Sequence, residues 1–227
     1  MKKDRYILAF LGVLAVLAGA LLRKSEIKGT MVSSTQLAEK TGEAPRVALT
    51  FDDGPSGKST GRLLDGLKER NIKASFFLMG KNIEGNEDLV RRMKEEGHLI
   101  GNHTFNHVQL SQLSDAKACE EITRTSDAIY QVTGQYTTFI RPPFGEWKKN
   151  LECIVTMLPV LWTVDPVDWN TDDVNLVVRR VEKVVQDEDI ILLHDIYDSS
   201  VDAALRIADD LKEQGYTFVT VDQLILE

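Results

Sequence analysis

Arg46-Val47-Ala48-Leu49-Thr50-Phe51-Asp52-Asp53-Gly54-Pro55 runs from a short apolar strand into two adjacent carboxylates and a turn. Gly54-Pro55 bends the chain away sharply, as suits a strand end. Further short apolar stretches at 74–79, 98–101, 137–140, 158–164, 189–193 and 217–220 also read as strands. Between them, Leu63-Leu64-Leu67, Leu89-Val90-Met93, Ala118-Ile122-Ile129-Val132, Val174-Val177-Val178-Val181-Val185 and Val201-Ala204-Leu205-Ala208-Leu211 fall at helical spacing. Gly97, Gly134 and Gly215 stand in the stop position after helices. This alternation implies parallel strands joined by right-handed crossovers. Asp52/Asp53, His103/His107, Arg141, Asp165 and His194 each fall just beyond the C-terminal end of an expected strand. In a barrel those ends share one rim, whereas an open sheet gathers groups only near its switch point. Polar groups from five strands favour an α/β barrel over residues 46–227.

Composition bounds the function. The 227 residues carry a formal net charge of -8, unevenly spread. Residues 1–45 hold seven Lys/Arg against four Asp/Glu, and the remainder holds 20 against 31. An acidic domain without a basic stripe disfavours nucleic acid as a partner. No obligate protein partner is implied either. Lys2, Lys3 and Arg5 precede an uncharged run from Tyr6 to Leu22. That pattern makes residues 1–24 an uncleaved signal-anchor, with a secretory peptide cleaved near Ala18-Gly19-Ala20 as the alternative. Either places the main domain outside the cytoplasm, anchored to the cell membrane or secreted. Residues 25–45 lack apolar periodicity and read as a linker. Cys119 and Cys153 form no metal motif, and the choice between a disulfide and two buried thiols stays open.

One aspartate with two histidines is a complete three-ligand set for a catalytic zinc-type ion, with a position left for water. His103 and His107 are four apart, so one helical turn would put both on the same side. Adjacent residues point in different directions, so one of Asp52 and Asp53 can face a metal and the other a substrate. Each motif alone has a plainer reading: a surface turn for the aspartates, exposed histidines for the pair. Together they suggest metal-assisted hydrolysis. In Arg141-Pro142-Pro143-Phe144-Gly145, consecutive prolines lack N–H groups, so Phe144 supplies the first free donor for an oxyanion. Arg141 could pair with a carboxylate and hold it ionised. A carboxylate beside His194 would keep that imidazole protonated as a general acid, with Asp165 or Asp195 as the candidate partner. His98 starts a strand and takes no role.

The combination of TFDDGP at 50–55, HTFNH at 103–107, RPPFG at 141–145, DPVDW at 165–169 and LLH at 192–194 resembles the polysaccharide deacetylase family, also called the NodB-homology or carbohydrate esterase family 4 domain. The resemblance covers residues 46–227. It implies a distorted (β/α)7-type barrel and a divalent metal, zinc first with cobalt or another ion as alternatives. Carried over, Asp53, His103 and His107 would be the ligands, Asp52 the general base and His194 the general acid. Arg141 would orient Asp52, and Asp165 would tune His194. Phe144 would offer its N–H to the oxyanion, while Trp169 and Leu192 would line a pocket for the acetyl methyl group. Many members carry a tyrosine where Phe144 stands. The implied activity is removal of N-acetyl groups from N-acetylglucosamine units of a polysaccharide, with peptidoglycan as the leading substrate. An O-acetyl esterase on xylan-like polymers and a non-catalytic glycan-binding module are the alternatives.

Overall fold

A computed structural model describes Gly42, residues 44–153 and residues 156–226. The expected signal-anchor over residues 1–24 lies outside them, as does the linker up to residue 41. Among the described residues no helix is long and apolar enough to cross a membrane.

Among the described residues, seven strands form one sheet: β1 Arg46–Asp52, β2 Ser75–Leu78, β3 Leu99–Asn102, β4 Phe139–Ile140, β5 Leu158–Pro159, β6 Asp189–His194 and β7 Thr217–Phe218. Every pairing is parallel, in the order β5-β4-β3-β2-β1-β6, with β7 beside the start of β1. The connecting helices are α1 Thr60–Glu69, α2 Glu87–Glu95, α3 Asp115–Thr133, α4 Val174–Glu182 and α5 Asp198–Glu213, followed by a short α6 Val221–Ile225.

Side-chain alternation along β1 separates two cores. Val47, Leu49 and Phe51 pack outward against the helices, with Leu63, Leu64 and Leu67 of α1 and Val201, Ala204 and Ala208 of α5 in the same cluster. Ala48 faces the other way, into a smaller interior cluster with Phe77, Phe139, Val160 and Val221. Space inside is tight: a Cβ on Gly101 would lie 2.4 Å from the Phe77 ring, so β3 can pass Phe77 only as glycine.

The expected strand 158–164 is broken. Its first residues pair with β4, and its last, Val164, bridges Ile191 of β6. Between them the Arg141 guanidinium takes the carbonyls of Val160 and Leu161 at 3.3 and 3.1 Å. The segment thus spans from β4 to β6 and closes the curled sheet into a distorted barrel. The expected strand 217–220 stops early because Thr220 forms the capping box of α6. Cys119 on α3 and Cys153 are joined as a disulfide, which answers the open choice between pairing and free thiols.

His98 directly precedes β3, and its Nδ1 accepts the Ala74 N–H at 3.1 Å. Burial, aided by nearby Lys73, lowers its pKa to about 4. The unfolded chain takes up this proton near 6.5 and the folded chain only near 4, so the stability contribution is present above 6.5 and lost as pH falls through that window. His98→Asn keeps an acceptor near the Nδ1 position without a titrating ring. Denaturant titrations at pH 7 and pH 4.5 should show the variant losing about 1–3 kcal/mol less than the parent on acidification. Equal losses would contradict the assignment.

Candidate active site

All of the predicted polar rim converges on one cleft of about 500 Å³ lined by Asp52, Asp53, His103, His107, Phe144, Asp165, Trp169, Leu192 and His194, together with Pro142, Trp162 and Tyr197. Arg141 lies beneath it, fully buried.

Asp52 ends β1 on its interior face. Asp53 then adopts a left-handed backbone (φ 73°), which turns its carboxylate away from its neighbour's direction. The Asn82 side-chain amide holds the Asp53 carbonyl at 2.7 Å, and the Met79 N–H holds that of Gly54 at 3.0 Å. Gly54 is required here, since a Cβ would meet the Asp195 carboxylate at 2.4 Å.

His103 and His107 meet through a loop rather than the single helical turn expected from their spacing. Thr104 and His107 both take left-handed backbones (φ 61° and 59°), which fold the peptide back so that the ring centroids lie 5.0 Å apart. His103 Nδ1 lies 2.6 Å from the Arg141 carbonyl oxygen. A carbonyl only accepts, so Nδ1 carries the proton and the Nε2 lone pair is free to ligate. Burial, followed by neighbouring His103, lowers the His107 pKa and favours the neutral ring that a metal requires.

Asp53 Oδ1 is buried with no hydrogen-bond partner among the described residues, and it lies 3.5 Å from Nε2 of each histidine. Tetrahedral bonds of about 2.0–2.2 Å would put neighbouring ligand atoms roughly 3.3–3.6 Å apart. An orphaned anionic oxygen at that spacing from two imidazole lone pairs fits a divalent cation. Asp53, His103 and His107 could hold one between them.

Asp52 is not orphaned. Arg141 Nη1 donates to its Oδ1 at 2.8 Å, and the other oxygen lies 3.7 Å from His103 Nε2. The same Nη1 reaches Thr50 Oγ1 at 2.6 Å. Burial pulls the guanidinium below its usual pKa, and the Asp52 charge opposes that.

His194, at the end of β6, departs from expectation in its partner. Its Nδ1 lies 2.8 Å from Asp168 Oδ1, and its backbone N–H donates to Asp168 Oδ2 at 2.8 Å. Burial alone would discharge the ring, but the bond to Asp168 and that residue's charge outweigh burial and raise the pKa to about 9. Asp165 instead accepts the Val167 N–H at 2.8 Å and lies on the cleft wall. A left-handed Val167 (φ 55°) reverses the chain so that the second aspartate of the motif, not the first, arrives behind the imidazole. Asp195 fails as partner because alternation sends it to the opposite side of β6. There Thr60 Oγ1 donates to its carboxylate, and burial raises its pKa to about 7. The only hint of Asp168 in the sequence was a second carboxylate directly before Trp169. Tyr197, three residues past His194 and 6.5 Å from its ring, belongs to no motif and was missed.

Phe144 follows the two prolines in a left-handed conformation (φ 61°), exposed, with its ring edge-on to His107 at 4.9 Å. Trp169, exposed, and Leu192, buried, also line the cleft.

The sequence matches the polysaccharide deacetylase family over residues 39–160. It is 37% identical over 199 residues to peptidoglycan-N-acetylglucosamine deacetylase PgdA of Listeria monocytogenes, covering 87% of this chain and 43% of that protein. It is 40% identical over 178 residues to peptidoglycan-N-acetylmuramic acid deacetylase PdaC of Bacillus subtilis, covering 78% of this chain and 38% of that one. The chain thus spans less than half the length of these two curated relatives. The solved structure of peptidoglycan deacetylase PdaC from Bacillus subtilis superposes with a TM-score of 0.77 at 40% identity, covering 80% of this chain and 90% of that one. Sequence and backbone therefore lead to one assignment: the chain belongs to the polysaccharide deacetylase family.

Proposed function

We propose that the chain is a metal-dependent hydrolase that removes N-acetyl groups from N-acetylglucosamine units of peptidoglycan. The observation that carries this reading is a pair of proton carriers side by side in one cleft, Asp52 and His194, at paired positions of the adjacent strands β1 and β6. Arg141 Nη1 donates to Asp52 Oδ1, and Asp168 holds His194 as an imidazolium. A divalent ion at Asp53, His103 and His107, with zinc the leading candidate, would supply a Lewis acid that lowers the pKa of water and polarises a carbonyl. Asp52 would take the proton from the attacking water, and the backbone N–H of Phe144 would meet the developing oxyanion. His194 would deliver its Nε2 proton to the departing sugar nitrogen, since an amine leaves poorly unless protonated. Trp169 and Leu192 would enclose the acetyl methyl group. Asp165 belongs to the cleft wall in this scheme, with tuning of His194 left to Asp168. The names of the relatives support peptidoglycan, and an extracytoplasmic site of action follows from it. We assign residues 1–24 to a membrane signal-anchor, 25–45 to a linker and 46–227 to the catalytic domain.

Purified protein should release acetate and free amines from peptidoglycan, and chelator should abolish the release until zinc or another divalent ion is restored. Full activity after exhaustive chelation would refute metal dependence. Asp52→Asn should lower kcat by about 10²–10⁴-fold while leaving zinc binding within a fewfold of the parent. A variant as active as the parent would remove Asp52 from the chemistry.

The acid must be protonated to act, so activity should fall as pH rises through the His194 pKa, which is about 9 with the cation site unfilled. A bound cation would bring that limb lower without changing its sign. Asp168→Asn removes the bond and the charge that hold the proton, so its alkaline limb should move down by about one pH unit or more. Asp165→Asn should leave the limb where it is. The reverse ranking in a pH–kcat profile would restore Asp165 as the partner.

A further inference from the structure

The two histidines of the candidate metal site are secured differently. The His103 ring is fixed by its Nδ1 bond to the Arg141 carbonyl. Among the described residues, no hydrogen bond reaches Nδ1 of His107, so that ring is placed by its backbone and by edge contacts with His103 and Phe144. The backbone is strained, with left-handed conformations at Thr104 and His107, and a β-branched threonine is unfavourable there. Something outside the loop must hold it.

Part of that support comes from the N–H groups of Gly80 and Lys81, which donate to the Thr104 and Phe105 carbonyls at 3.0 and 3.1 Å, and part from α3. At the loop entrance, Asn102 Nδ2 donates to the Ile122 carbonyl at 2.8 Å and its Oδ1 accepts the Thr104 N–H at 2.8 Å. At the loop exit, the Glu121 carboxylate grips Asn106 twice: Oε2 accepts the backbone N–H at 2.8 Å and Oε1 accepts the side-chain amide at 2.7 Å. Between these points, the Arg124 guanidinium lies 3.7 Å over the Phe105 ring. Glu121 and Arg124 are one helical turn apart, so they share a face of α3. The doubly held residue, Asn106, is the one directly before His107.

We propose that Glu121 is a positioning residue for the metal site. Its two-point grip on Asn106 fixes the peptide entering His107 and so aims a ring that has no hydrogen bond of its own. The proposal rests on the reading of Asp53, His103 and His107 as metal ligands. Groups that orient ligands from behind typically change metal affinity by about 10–100-fold when removed.

The test is competitive zinc titration of chelator-stripped protein against a chromophoric chelator, with thermal unfolding of each metal-free variant as a folding check. Glu121→Ala should raise the zinc dissociation constant by about tenfold or more with the metal-free unfolding midpoint little changed. Glu121→Gln should return it to within about threefold of the parent. The glutamine oxygen can accept the Asn106 N–H, and its amide can donate to Asn106 Oδ1 after that side chain flips. Asn106→Asp breaks the grip from the loop side by opposing two carboxylates, and it should weaken zinc as Glu121→Ala does. Zinc affinity within twofold of the parent in both Glu121→Ala and Asn106→Asp overturns the proposal, as does a loss that Glu121→Gln fails to repair. His107→Ala separates the two readings: if it too leaves zinc affinity unchanged, the ligand assignment fails rather than the clamp.

Discussion

The contact between Arg141 and Asp52 is the constraint around which the molecule is arranged. Arg141 is fully buried, lying 4.3 Å over the Phe77 ring inside the barrel. A charge there is tolerated only with complete pairing, and removing one partner of such a pair typically destabilises by about 3–5 kcal/mol. The guanidinium spends its donors on Asp52, Thr50 and the carbonyls of Val160 and Leu161. The last two acceptors lie in the segment that closes the barrel. The backbone carbonyl of the same residue orients His103. Barrel closure, the state of the carboxylate beside the cation site and the aim of one ligand ring therefore converge on a single side chain.

Strain is concentrated at the same end of the barrel. Asp53, Thr104, His107, Phe144 and Val167 all have positive φ, and each lies in a loop that builds the cleft. Each such residue costs of order 1–3 kcal/mol, so the loops hold their shape only because rigid elements over-determine them. Asn82 and Met79 hold the first loop, α3 with Gly80 and Lys81 the second and two prolines the third. The strands and helices supply the rigidity, and the loop backbones aim the side chains.

What the sequence revealed follows from the periodicities involved. Alternation in Val47 to Asp52 sorts the two faces of β1, and helical spacing in α1, α4 and α5 marks their buried stripes. The clustering of polar residues after strand ends located the cleft because a parallel barrel brings those ends together. Local backbone reversals were not legible. Nothing in Asp165-Pro166-Val167-Asp168 announces a left-handed valine, so the sequence points to the first aspartate as the histidine's partner. Spacing of four suggested a helical turn for His103 and His107, yet Thr104 folds the peptide by another route to the same convergence. The break in 158–164 was hidden because its cause, Arg141, is distant in sequence. The pairing of Cys119 with Cys153 depends on where α3 packs, which no local pattern encodes.

The asymmetry of the two buried ion pairs is the last structural point. Arg141 pairs with Asp52 through a buried hydrogen bond, and Asp168 stabilises His194 in its charged, proton-donating form. Both pairs are strongly shielded from water, so each partner's influence is greater than it would be at a surface. One cation lies behind the carboxylate and one carboxylate behind the imidazole, so the two groups have supports of opposite charge. The barrel achieves this by drawing the two supporting residues from separate connections, after β4 and after the broken strand.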